Sequence, residues 1–202
     1  MPVYNTVTLI QNLQEQTENH LQIAVHDFQV LSPVHLLHQP EPGKWSAAQC
    51  LQHLNAYGKY YLPAIETSIQ ANLQKHQPAE QFVSGTLGNY FTKLILPKGE
   101  AGSITKMSAP KNYRPSGALD AHAVVAEFID QQEKTLKLLD AAHQVNLTRA
   151  KTPISISKWI RLRLGDTFFF VIAHNYRHIL QAQRALATAG VQNQLKARLL
   201  QP

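Results

Sequence analysis

At 202 residues the chain is long enough to bury a substantial core in one domain, and its 44% hydrophobic residues are ordinary for a globular protein. No apolar run reaches the length of a membrane span, and the start, MPVYNTVTLIQNLQEQ, lacks the basic cluster and apolar core of a signal peptide, so a cytoplasmic protein with no membrane partner is expected. A single cysteine, Cys50, excludes an internal disulfide and a multi-cysteine zinc site, while the net charge of +6 would suit an anionic ligand.

From about Asn5 to Leu31, Leu9, Ile10, Leu13, Thr17, Leu21, Ala24, Phe28 and Leu31 recur every three or four residues, the period of a helix with one buried stripe. His20 reads as a boundary or surface histidine beside it. Ser32-Pro33 stops the helix, because proline lacks the next amide and disfavours helix in the residue before it. A second helix is expected over about 46–74. Ser46 is a good N-cap, Gln49 completes a capping box, and Trp45 is placed to staple onto Cys50. His53 follows two turns later with Tyr57 beyond it, and Pro63 is expected to kink the helix.

Residues 75–118 carry glycine or proline too often for a long element, so a long loop is expected, with at most a short helix at Phe91 to Leu96. A third helix reads from about 116 to 142 on Val124, Val125, Phe128, Gln132, Leu136 and Leu139. Asn146-Leu147-Thr148 matches the glycosylation triplet, which means little without secretion. Arg149, Lys151, Lys158, Arg161 and Arg163 concentrate the positive charge without an acid among them, and read as a solvated basic edge. Nucleic acid is not expected as a partner, because no reading element accompanies the patch. The alternation from Trp159 to Leu164 fits either an extended segment or a helical lead-in. A fourth helix is expected over about 165–189, with Gly190 as terminator. Four amphipathic segments and no convincing strand give an all-α four-helix bundle, residues 1–202 forming one domain.

The fourth helix carries the stretch AHNYRHILQAQR, from Ala173 to Arg184. His174 and His178 lie one turn apart, on a line continued by Phe170 and Val171 before the pair and Gln181 and Ala185 after it. That line is mostly apolar and points inward, so the imidazoles need partners, of which a metal ion is one. A pair alone does not make a metal site; a third ligand has to come from elsewhere in the chain.

WSAAQCLQH at the start of the second helix, HNYRHILQAQR after the leucine-glycine of LGD, and the SAPKNYRP stretch before the third helix together resemble the DinB-like family of four-helix bundle proteins. The resemblance runs through nearly the whole chain. It implies one divalent metal, nickel or zinc, held by His53, His174 and His178, and an enzyme that hydrolyses a small substrate or transfers a low-molecular-weight thiol. Three histidines would leave an open position for water or substrate. Cys50 is a candidate fourth ligand, with a buried staple residue as the alternative. Gln181 is placed to hold the outer nitrogen of a ligand or a water, Tyr57 to orient a substrate, and Arg177 to attract an anion, with packing and surface ion pairs as the competing readings. The expected partner is a small molecule, anionic or a thiol, and a homodimer is expected by analogy. A bundle that binds a ligand or partner without catalysis is the alternative function.

Overall fold

The computed structural model describes residues 1–96, 108–115 and 117–190. A short strand, β1 (Val3–Asn5), leads into α1 (Thr6–Ile23), whose first turn is closed by the Asn5 side chain accepting from the Thr8 amide. One π-helical turn, Ala24–Phe28, and a short α2 (Pro33–Leu37) bring the chain to α3 (Ala47–Gln70). The capping box forms as its residues predict: Ser46 Oγ accepts from the Gln49 amide at 3.2 Å, and Gln49 Oε1 accepts from the Ser46 amide at 2.9 Å. α3 continues through Pro63 without ending.

β2 (Gln81–Val83) pairs antiparallel with β1 and is followed by α4 (Thr86–Ile95) and a single 3₁₀ turn at Lys111–Tyr113. α5 (Ala121–Ala142) starts where the Asp120 carboxylate accepts from the Ala123 amide. An antiparallel hairpin, β3 (Lys151–Ile154) and β4 (Ser157–Arg163), then runs directly into α6 (Leu164–Thr188), beyond which Gly190 takes a left-handed φ of 77°.

α3 packs on α5 and α6, and α1 packs on the same two helices, so α1 and α3 stand diagonally across a four-helix bundle. The apolar interior falls into two clusters. Leu13, Ile65, Leu139 and Phe168 belong to one; Phe28, Leu51, Phe128 and Ile179 belong to the other. Between them every bundle helix turns polar side chains inward: Thr17 and His20 from α1, His53 and Asn55 from α3, Gln132 and Thr135 from α5, His174, Asn175, Arg177 and His178 from α6, all buried. Its members bond one another and the helix backbones, as in Asn175 Nδ2 to Gln132 Oε1 at 3.1 Å and Asn55 Nδ2 to the Val124 carbonyl at 2.9 Å.

Several expectations change. The all-α bundle stands, but it carries two short strand pairs: Trp159 to Arg163 proves extended because β3 supplies its hydrogen bonds, and Leu164 opens α6. The second helix stops at Gln70 rather than 74, and the third begins at Ala121 rather than 116, where Asp120 provides the cap; Ser116 and residues 97–107 lie outside the described residues. The helix in the 75–118 segment starts at Thr86, and Gly88 lies inside it. A Cβ at Gly88 would overlap Asp166 Cβ and Cγ, so this glycine marks close approach to α6 rather than a break. His20 is 1% exposed and takes the stripe position expected of Leu21. Asn146 closes a turn, its Oδ1 accepting from the Thr148 and Arg149 amides.

Candidate metal centre

The cap at Ser46 sets the phase of α3 so that His53 enters the polar layer, opposite His174 and His178 on α6. The rings pack edge to face, with centroids 5.1 Å apart for His53 and His174, 4.5 Å for His53 and His178, and 4.7 Å for His174 and His178. One donor atom from each lies within 4.8 Å of the others, and the three histidines are the group of side chains that could hold a metal ion among the described residues.

The outer nitrogens decide the tautomers. His53 Nδ1 stands 2.6 Å from the Tyr113 carbonyl, and His178 Nδ1 stands 3.0 Å from Gln181 Oε1. Both partners are acceptors, so both rings carry their proton on Nδ1 and leave Nε2 with a free lone pair. His53 Nε2 then faces His174 Nε2 at 3.3 Å. Two ligands held about 2.0–2.1 Å from a tetrahedral zinc ion stand about 3.3 Å apart, so this pair already has the spacing of a metal chelate.

Electrostatics favour neutral rings, which is the form a metal binds. Burial pushes His53 below its ordinary value and His174 well below it, and holds His178 at about 3; Arg177 nearby pushes all three the same way. Arg177 is itself buried and donates from Nη1 to the Ile95 carbonyl at 3.2 Å, joining the end of α4 to the helix that carries His174 and His178.

Aromatic rings wall the cluster. Tyr57 lies 4.5 Å from His174 and 4.2 Å from Tyr113, between centroids; Trp45 lies 5.0 Å from His53 and 5.8 Å from His178; Phe170 stacks on His174 at 5.7 Å. Burial pushes the Tyr57 hydroxyl up to about 12, so at neutral pH it remains a donor. Cys50 is fully buried in the second apolar cluster, outside the histidine group, and its thiol is pushed up by burial, so it packs as a small hydrophobe.

The structure thus brings His53, His174, His178, Tyr57, Arg177 and Gln181 to one place. Two contributors escaped the sequence reading. Trp45 packs on the cluster that holds Cys50, as a staple would, but its position gave no sign that its ring also covers two histidines. Tyr113 acts through its backbone carbonyl, which no side-chain pattern encodes.

No curated protein and no solved structure matches the chain. No helix among the described residues is long and apolar enough to cross a membrane. The family model described as the DinB superfamily matches residues 15–182, from α1 into α6, and with the helical bundle and buried histidine trio around it, the chain belongs to the DinB superfamily.

Proposed function

We propose that His53, His174 and His178 hold one divalent transition metal, nickel or zinc, and that the protein acts there on a small molecule, as a hydrolase or a low-molecular-weight thiol transferase. The observation that carries this reading is the convergence of three buried imidazoles, with the His53 and His174 Nε2 atoms 3.3 Å apart, the spacing that two ligands of one ion take. A divalent ion bound there with an open position supplies a Lewis acid that lowers the pKa of a water or thiol toward neutrality.

The chain's own groups do the rest. The Tyr113 carbonyl and Gln181 fix the ring orientations of His53 and His178. Trp45, Tyr57 and Phe170 exclude bulk water, which strengthens every charge inside. Tyr57 offers a proton donor to substrate, and Arg177 gives the histidine cluster a positive field that favours an anionic or thiolate partner.

A second reading, a bundle that binds a ligand without turning it over, draws on the state of Tyr57. With its hydroxyl held at about 12, this neighbour of the histidines is no general base at neutral pH. The two readings part in one experiment. Metal-loaded protein is offered a panel of thiols with electrophiles and of small esters and amides. Turnover that disappears in His53→Ala supports the enzyme; full metal occupancy with no turnover across the panel supports the binding protein.

A further inference from the structure

The β3–β4 hairpin is a surface feature that the metal centre does not use. Its register pairs Lys151 with Arg163, Thr152 with Leu162 and Pro153 with Arg161. Side chains alternate across a strand, so Thr152 and Leu162 turn to the bundle, where both are buried, while Lys151 and Arg161 stand exposed on the opposite face and Arg163, half-buried there, donates to the Val83 carbonyl beside Asp166. Arg149, Lys151, Arg163 and His76 line one open groove. No acidic residue occurs between Arg149 and Arg163. Toward its turn the hairpin also exposes apolar side chains: Trp159 is 95% exposed on the face of Arg161, Ile156 64% in the turn, and Ile160 40% on the face of Leu162.

This tip is fixed in place. Tyr60 Oη donates to the Ile154 carbonyl at 2.9 Å, Tyr61 Oη accepts from the Ser155 amide at 3.2 Å, and Ser68 Oγ donates to the Lys151 carbonyl at 3.1 Å. α3 therefore presents an apolar point to solvent with a basic strip behind it, at a standing cost in exposed apolar surface.

We infer that this hairpin docks on an anionic lipid bilayer, with Ile156 and Trp159 seated at the boundary of headgroups and acyl chains and Arg149, Lys151 and Arg161 facing the headgroups. At about 3.3 Å per residue, Arg161 lies about 7 Å along the strand from Trp159. That cation falls within a Debye length of about 8 Å at physiological salt. The amphipathic indole suits that interface, and anionic lipid supplies the opposite charge. Single-stranded nucleic acid would use the tryptophan and the cations, but Ile156 offers a base no ring to stack on. A second copy docked face to face would meet the same positive strip. The earlier expectation of no membrane partner rested on the lack of a span; a contact of this kind lies on the bilayer without crossing it.

The full chain is sedimented with vesicles of phosphatidylcholine alone and of phosphatidylcholine mixed with phosphatidylserine, at low and at near-physiological salt, while tryptophan emission is followed. Binding to the anionic vesicles, weakened by salt, with a blue shift absent in Trp159→Phe, is expected. Trp159→Ala lowers partitioning roughly tenfold or more. Lys151→Ala and Arg161→Ala lower it by about fivefold each. These side chains are exposed, and circular dichroism checks that each variant is folded. No binding to anionic vesicles at low salt, or equal binding by Trp159→Ala and wild type, overturns the proposal. So does quenching of Trp159 by a single-stranded oligonucleotide without vesicle binding, which assigns the face to nucleic acid. Self-association abolished by Trp159→Ala, again without vesicle binding, assigns it to a second copy.

Discussion

His20 offers a quantitative test of the polar layer. It sits on α1 at 1% exposure, stacked on Tyr176 at 6.3 Å between ring centroids, and its Nδ1 has no hydrogen-bond partner among the described residues. Burial lowers its pKa from 6.5 to about 4. The unfolded chain therefore binds a proton at this residue below about 6.5, and the folded chain does not until about 4, so stability falls as pH drops through that window. At about 1.4 kcal/mol per pH unit the loss attributable to His20 is about 3 kcal/mol, complete near the lower limit. His20→Leu removes both this dependence and a buried unsatisfied nitrogen that costs about 1–3 kcal/mol. Chelator-treated wild type and variant are unfolded in urea at a series of pH values from neutral to about 4, with far-UV circular dichroism as the signal; the histidines of the metal centre titrate alike in both and cancel in the difference. The variant should equal or exceed wild type at neutral pH, and its advantage should widen by about 3 kcal/mol on acidification. A constant difference across the series would refute the buried, neutral state of His20.

Gln181→Leu takes away the acceptor that holds His178 Nδ1, and should lower metal affinity by about 10–100-fold with thermal stability of the metal-free protein little changed, as read by a competing chelator. Gly88→Ala forces a methyl into Asp166, costs about 1–3 kcal/mol, and should speed hydrogen exchange across residues 81–95 while α3 and α5 stay protected. Cys50→Ala should leave metal stoichiometry intact and cost about 1 kcal/mol in unfolding by urea, because the thiol packs rather than ligates.

The bundle was legible because its signals are local. Apolar period, the Ser46–Gln49 box and Gly190 each act within a few residues, and they place the helices within a turn or so of their observed limits. The histidine trio was legible in part for the same reason, since phase along α3 and α6 turns all three rings inward. What the sequence could not show depends on pairing across long separations. β1 finds β2 some eighty residues away, and the 81–95 segment is held by the Asp166 carboxylate, which accepts from Ser84 Oγ at 2.6 Å and the Gly85 amide at 2.8 Å. Gly88 read as a breaker because the reason for it lies on another helix. His20 read as peripheral because one apolar stripe does not reveal that each neighbouring helix turns polar groups inward at the same level.

The account rests on a single cation shared by His53, His174 and His178. Purified protein and the variant lacking all three imidazoles, each loaded with nickel or zinc and passed through gel filtration, are compared by elemental analysis for tightly bound metal. One equivalent in the wild type and only traces in the folded variant is the predicted result; the same trace level in both, or the same full equivalent in both, would contradict it.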